Sequence, residues 1–303
     1  VEGAGAAALW EKLTPSAISK LGAGVAKYTV LTNEQGGIID DLIVTRLAED
    51  RFFAVINAGC KDKDIAWIQS NLPEGVTFTY LDDRALIALQ GPLAEKVLRE
   101  ALSIDAANLG YMRIMESGNL FISRLGYTGE DGFEISVPQS EAAAMWDKLA
   151  QHADVKPVGL AARDSLRLEM GYPLYGHDID AETTPLEADL GWVMGKDRTG
   201  YIGADKIGEP KRRRLGIKLT GKGIAREGAE IYTKNGQKLG DLTSGGFSPT
   251  LNEAIGQAYI DTKLGQIGDE VLVRVRGRDI EALIAPLPFV KPKTKAAAKP
   301  KAA

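Results

Sequence analysis

Between residues 213 and 288 the chain holds six short β-type runs, 214–219, 229–233, 238–244, 255–260, 270–276 and 279–285, divided by Gly-containing turns and almost free of helical period. Runs of β-branched and aliphatic residues bounded by turn residues are the pattern of antiparallel strands. Strands this short bury a core only by packing two layers or by closing on themselves, so the pattern predicts a small all-β barrel or sandwich. Its start falls near the charged linker 206–213, which sets a domain at 206–290 and leaves 1–205 as a separate region.

Residues 1–205 read differently. A helical run at 6–13 precedes a strand at 27–32, an acidic strand after the Gly36-Gly37 turn, and a strand at 52–57, which together make a three-stranded meander. A helix at 61–72 follows, with Ile65, Ile68 and Leu72 on one stripe. Then come strands at 76–81 and 85–89, a helix at 93–102 opened by Gly91-Pro92, strands at 111–116, 120–127 and 132–137, and a helix through Trp146 and Leu149. A last helix spans 158–171 before the turn-rich loop 172–185. Short antiparallel strands interleaved with single helices predict an α+β region, not a doubly wound one.

The acidic strand is Gly36-Gly37-Ile38-Ile39-Asp40-Asp41-Leu42-Ile43-Val44-Thr45. Side chains alternate between faces, so Asp41 shares a face with Ile39 and Ile43, and Asp40 with Ile38 and Leu42. Whichever face packs, one carboxylate loses hydration, which raises its pKa unless cations or donors offset the loss. Two readings stand at this level: a functional acid, or one solvated Asp beside another that accepts backbone hydrogen bonds at the turn.

Gly126-Tyr127-Thr128-Gly129-Glu130-Asp131-Gly132 resembles a nucleotide loop, but Phe133-Glu134-Ile135-Ser136-Val137 behind it is a strand. A phosphate loop needs a helix N-terminus there. The motif is therefore a tight hairpin that carries Glu134 on a rigid strand. On the helix 158–171, Arg163 shares a face with Leu160, Leu166, Arg167 and Met170 and must find an anion. That anion is either internal, with Asp41 or Glu169 as partner, or a ligand carboxylate that matches the guanidinium fork. Cys60 reads as a packing residue and His177 as a hydrogen-bonded loop histidine. Together the acids and Arg163 suit a ligand with paired donors at one end and carboxylates at the other, as in a reduced pterin with a glutamyl tail.

Composition narrows the classes. Apolar content of 44% and charged content of 26% are those of an ordinary globular protein, and no apolar run approaches a membrane span. One cysteine and two histidines argue against an intramolecular disulfide and a thiolate or histidine metal site, so no metal is expected. From Lys291 onward there are five lysines and no acid, so residues 1–290 carry −9 against −4 for the whole chain. An acidic body argues against nucleic-acid binding, and 291–303 reads as a disordered Lys/Ala/Pro extension.

These residues resemble a known family. The runs Asn33 to Val44, Ala85-Leu86-Ile87-Ala88-Leu89-Gln90-Gly91-Pro92, Ser123 to Glu134, Gly159-Leu160-Ala161-Ala162-Arg163-Asp164 and Ser244-Gly245-Gly246-Phe247-Ser248-Pro249-Thr250-Leu251 are similar, in this order, to the aminomethyltransferase or T-protein of the glycine cleavage system. The resemblance implies a tetrahydrofolate-dependent transferase that takes the aminomethyl group from the dihydrolipoyl arm of H-protein, passes the methylene to tetrahydrofolate and releases ammonia, with folate as substrate and no metal or membrane partner. By motif position it implies Asp41 as the catalytic acid, Glu134 as the acid that holds the pterin, Arg163 near the folate, and Tyr28, Asn57 and Tyr127 along the pocket. A cytoplasmic setting follows, or the mitochondrial matrix in a eukaryote. Two departures stand out: the family's N-terminal segment, with an aromatic Gly-Trp stretch and an Asp-Val-Ser-His-Met type motif, is absent before Val1, and Lys291-Pro292-Lys293-Thr294 replaces the tyrosines expected after Pro288-Phe289-Val290. The alternatives are a folate-dependent demethylase of a small amine or sulfonium compound and a non-catalytic folate-binding relative. The latter is expected to carry Lys-Gly-Cys, whereas Cys60 sits in Gly59-Cys60-Lys61.

Overall fold

The computed structural model describes residues 1–196 and 199–295. Seven strands form one antiparallel sheet: β1 (Val25–Thr32), β2 (Ile38–Ala48), β3 (Arg51–Val55), β4 (Arg84–Gln90), β5 (Arg113–Ser117), β6 (Leu120–Arg124) and β7 (Gly132–Pro138), in the order β3-β2-β1-β5-β6-β7-β4. The meander β1 to β3 joins the other four strands through a single residue pair, Val25 with Arg113. The helices are α1 (Ala6–Leu13), α2 (Lys61–Ser70), α3 (Ala94–Leu102), α4 (Gln139–Ala150) and α5 (Leu160–Glu169).

Burial of apolar faces decides where the helices lie. Leu9, Trp10 and Leu13 of α1 and Ile68 of α2 pack with Leu31, Leu42, Val44 and Phe52 on one face of the meander. Val97 and Leu98 of α3 and Leu149 of α4 pack with Ile87, Ile122, Phe133 and Ile135 on the other half-sheet. The loop after α5 covers the opposite face of β1 and β2, where Val30 and Ile38 meet Ile179, Ala188, Leu190 and Val193. Asp40 and Asp41 thus point to two different environments.

β8 (Arg212–Leu219), β9 (Glu230–Thr233), β10 (Lys238–Ser248), β11 (Glu253–Asp261), β12 (Glu270–Val275) and β13 (Arg278–Ala285) close into a barrel in the order β10-β11-β8-β13-β12-β9. Alternation points Leu215, Ile217 and Leu219, Val271 and Val273, and Ala282 and Ile284 into one core. The architecture is α+β followed by an all-β barrel, as the strand pattern predicts.

Three local expectations fail for identifiable reasons. The strand expected at 76–81 is not formed: only Thr77 pairs, with Glu2, which itself bridges to Arg51, while Tyr80 and Leu81 are exposed. Ile38 does not share the face of Leu42, because the β1–β2 register shifts between Leu31 and Thr32. The tail is not free from its start: Lys293 pairs with Glu130 at 2.7 Å, Lys295 with Glu95 at 2.8 Å, and the Tyr111 N–H donates to the Lys295 carbonyl. The expectation for 296–303 lies outside the described residues.

The Gly36-Gly37 turn is the seat of the loop that covers β1 and β2. A Cβ on Gly37 would lie 1.8 Å from the Ala181 carbonyl oxygen, and that oxygen accepts from Asn33 Nδ2. Loop and turn are therefore in direct backbone contact, and the Ile38 N–H lies in hydrogen-bond reach of the Asp180 and Thr183 carbonyls. Gly37→Ala is expected to cost about 1–3 kcal/mol through forced displacement of that loop, read as a lower thermal midpoint.

Candidate active site

Asp41 sits on β2 opposite Val30 of β1, so its side chain shares the face of Tyr28 two residues earlier on β1. The Tyr28 hydroxyl donates to Asp41 Oδ2 at 2.9 Å, and Asn57 Nδ2 donates to Asp41 Oδ1 at 2.8 Å. Each carboxylate oxygen thus has one neutral donor, which fixes the carboxylate plane without a compensating cation. Burial pushes the Asp41 pKa up to about 6, opposed by the Tyr28 and Asn57 hydrogen bonds and reinforced by Asp40. Tyr28 is partly buried beside this acid, and its phenol is pushed well above the usual range first by burial and then by Asp41, so it remains a donor. Its ring stacks on Trp192 at 5.5 Å, an exposed residue that no sequence motif signalled.

Asp40 faces the other way and is fully buried. Asn57 Nδ2 also reaches Asp40 Oδ1 at 3.0 Å, so one amide spans both acids. Asn57 thus holds both carboxylates through one amide nitrogen.

Glu134 lies on β7 between Ala88 of β4 and Ser123 of β6. Among the described residues its carboxylate makes no hydrogen bond; burial raises its pKa, opposed by the charge of Arg163. Its strand is aimed by the hairpin loop 125–131, where the glycines meet specific neighbours. A Cβ on Gly129, at φ +73°, would lie 2.1 Å from Met170 Sδ, and one on Gly132 would lie 2.6 Å from the Leu89 carbonyl oxygen. Gln90 holds the loop, accepting from Thr128 Oγ1 at 2.7 Å and donating to the Leu125 and Phe133 carbonyls. Beneath it the buried Arg124 pairs with Asp131 and with Glu95.

Arg163 on α5 has no carboxylate partner within ion-pair distance among the described residues. The internal salt bridge to Asp41 or Glu169 does not form. Its guanidinium lies over the Tyr127 ring, 5.0 Å from the centroid, and that ring stacks on Tyr172 at 5.6 Å. Tyr127 donates its hydroxyl to the Pro173 carbonyl and feels the charges of both Asp41 and Arg163. Arg163 on Tyr127 and Asp41 with Tyr28 are thus two contacts of one electrostatically coupled group, in which Glu134 feels Arg163 and Tyr127 feels Asp41. Glu169 instead accepts from Ser248 Oγ, Thr250 N and Thr250 Oγ1.

His177 is exposed and hydrogen-bonds Glu227 at 2.7 Å. Cys60 is half-buried at the start of α2, and burial raises its thiol pKa, which disfavours the thiolate. A cavity of about 660 Å³ on the barrel is lined by Arg226, Glu227, Arg274 and Arg276 and shares no residue with the cluster. Among the described residues no group of His, Cys, Asp and Glu has the geometry of a metal site, and no helix is long and apolar enough to cross a membrane.

An acid and a guanidinium on an aromatic face, both unpaired among the described residues, and a neutral-donor-held carboxylate of raised pKa fit a ligand with amide-like donors at one end and an anion at the other. Fold and site define a one-carbon transferase of the aminomethyltransferase type. The GCVT N-terminal domain model matches residues 1–198, and the glycine cleavage T-protein C-terminal barrel domain matches 212–291. The chain belongs to the aminomethyltransferase family of the glycine cleavage system. It is 41% identical over 305 residues to the aminomethyltransferase of Chlorobium chlorochromatii, covering 96% of this chain and 83% of that protein. Against the mitochondrial aminomethyltransferase of Solanum tuberosum it is 40% identical over 303 residues, covering 93% and 74%. The crystal structure of glycine cleavage system aminomethyltransferase T from Bartonella henselae superposes with a TM-score of 0.93 at 38% identity, covering 97% of this chain and 84% of that one.

Proposed function

We propose that the chain transfers the methylene of an aminomethyl group carried by the lipoyl arm of H-protein to tetrahydrofolate, with release of ammonia. The single observation that carries the reading is Asp41, a carboxylate gripped by Tyr28 and Asn57 in the same cluster as Glu134 and Arg163. Tetrahydrofolate supplies the two nitrogens that receive the methylene; one C–S and one C–N bond break, two C–N bonds form, and the two protons leaving folate end on the thiol and the ammonia.

The protein's share is binding, orientation and proton handling. Glu134 is suited to accept from the paired donors of a pterin, and Arg163, with no internal anion among the described residues, to meet a glutamyl carboxylate. Asp41, with a pKa of about 6, is ionised at neutral pH yet close enough to it to hold a proton in passing. Residues 1–205 make the folate-binding region on this reading, and 206–290 the barrel that closes against α5. The relatives in plants and bacteria are aminomethyltransferases, which favours this reading over a folate-dependent demethylase. A cytoplasmic or, in a eukaryote, mitochondrial matrix setting is consistent with the mitochondrial plant relatives.

The test is formation of methylenetetrahydrofolate from aminomethyl-loaded H-protein and tetrahydrofolate; absence of product with both substrates present would overturn the proposal. Glu134→Ala is expected to weaken folate binding by about 2–4 kcal/mol, roughly 30- to 1,000-fold in Kd, because buried donors lose their acceptor. Titration calorimetry giving an unchanged Kd would remove Glu134 from the site.

A further inference from the structure

Behind Asp41 lies a second acidic pair that the reaction does not use. Asp40 on β2 and Asp64 on α2 are each 0% exposed, and their charges couple across the strand–helix contact, where Lys63 Nζ lies 3.6 Å from Asp64 Oδ1 and donates to the carbonyl of Ile39, next to Asp40. Three of their four carboxyl oxygens, Asp40 Oδ2 and Asp64 Oδ1 and Oδ2, are buried and have no hydrogen-bond partner among the described residues. Two coupled buried carboxylates cannot both stay ionised, and a single proton between them satisfies two of the three orphaned oxygens, Asp40 Oδ2 and one oxygen of Asp64, while Lys63 Nζ faces Asp64 Oδ1.

We propose that Asp40 and Asp64 share one proton, and that this pair, read through the Asn57 amide, is the positioning device that holds Asp41 in place and sets its basicity. The inference rests on Asp41 being the reacting acid.

The groups facing the pair come from every element around it. From α2 and its start, Lys63 Nζ lies 3.6 Å from Asp64 Oδ1, and the Cys60 thiol feels the charge of Asp40. Lys63 also donates to the Ile39 carbonyl and sits over the Tyr175 ring of the covering loop, 3.9 Å from its centroid. From β2 comes Asp41 itself. With one proton on the pair, one negative charge remains and Lys63 balances it. Burial and then the coupling to Asp40 push the Asp64 carboxyl up to about 8, which keeps the proton in place at neutral pH. Asn57 Nδ2 then reaches an anionic Asp40 Oδ1 at 3.0 Å and Asp41 Oδ1 at 2.8 Å. Tilting that amide toward either acid changes how firmly it holds the other.

The pair is tested without substrate first. Wild-type protein at pH 7.5 is expected to show a protonated-carboxyl infrared band that Asp64→Asn removes; persistence of the band in that variant overturns the proposal. Stability against pH is a second readout. A carboxyl whose folded pKa is raised adds stability that is fully present below its unfolded value of 3.8 and is lost as pH rises through about 8. The thermal midpoint of wild type should therefore fall between pH 6 and 9, and Asp64→Asn should flatten that slope; parallel slopes count against the pair. With substrates, Asp40→Asn removes the charge that raises Asp41, so the acid limb of kcat should move down by about 0.5–1 pH unit, whereas Asp64→Asn, which keeps a donor toward Asp40, should leave the limb in place. A limb that moves in Asp64→Asn and not in Asp40→Asn overturns the coupling. The infrared and thermal arms use neither folate nor H-protein, so their result stands even if the substrate reading fails.

Discussion

Asp41→Asn is expected to lower turnover by about 10²- to 10⁴-fold and, at the same time, to make the folded protein more stable near neutral pH. The two effects share one cause. Burial raises the carboxyl from its ordinary 3.8 to about 6, so at pH 7 the fold carries an ionised acid that it would hold more easily protonated. Stability from such a group is present below pH 3.8 and is lost as pH rises through about 6, at roughly 1.4 kcal/mol for each pH unit between the two values. Removing the charge returns that cost, less a discount for partial exposure and less the hydrogen bond that Tyr28 forfeits when an amide nitrogen faces its hydroxyl. A net gain of about 1–2 kcal/mol is expected, read by calorimetry. Turnover moves the opposite way, because the amide can neither take up a proton nor stabilise developing positive charge on the methylene. In wild type, kcat should fall as pH drops through about 6, and the residual rate of the variant should lack that limb. Turnover within a few-fold of wild type would take Asp41 out of the chemistry.

What the sequence shows of this site divides by the range of the interactions. Alternation along β2 separates Asp41 from Asp40 because both residues obey one local period, and the barrel is legible because six short runs repeat one turn chemistry. The strand expected at 76–81 carries the same alternation, yet Val76 is buried while Tyr80 and Leu81 stay exposed. A strand needs a partner ladder, and only Glu2 lies alongside. Pattern describes what a segment can do; the neighbour decides. Arg163 shows the same limit from the other side. Spacing places it on a face with Arg167, and nothing local tells the two apart. Arg167 is consumed by Asp164 and Asp178, and Arg163 is left on Tyr127 with no anion among the described residues, which is why it suits a ligand. The Tyr28–Trp192 stack and the Asp40–Asp64 coupling join residues far apart in the chain, where no period reaches.

Asp178→Ala is expected to be the most destabilising of these substitutions, by about 3–5 kcal/mol, and to weaken folate binding without touching folate. Asp178 is 1% exposed and ties three parts of the molecule together. Its Oδ2 accepts from Arg167 Nη1 at 2.7 Å, from the Leu174 N–H at 2.9 Å and from Ser244 Oγ at 2.8 Å, while Oδ1 accepts from Thr243 Oγ1. Helix α5, the covering loop and barrel strand β10 meet on this one carboxylate, and Tyr259 of β11 donates to its backbone carbonyl. Truncation leaves the buried Arg167 guanidinium without its buried ion-pair partner at Nη1, with only the half-exposed Asp164 on Nε, and that loss costs far more than the pair contributes on balance. The control is the double change Arg167→Met with Asp178→Leu, which removes both charges; it should recover most of the loss. Function follows through geometry, because Arg163 stands one turn before Arg167 on α5 and depends on the same anchor. Asp178→Ala should therefore raise the folate Kd and lower the thermal midpoint together, with the double variant restoring both. A midpoint that recovers while the Kd does not would show that the Arg167–Asp178 pair orients Arg163 directly, beyond holding the helix in place.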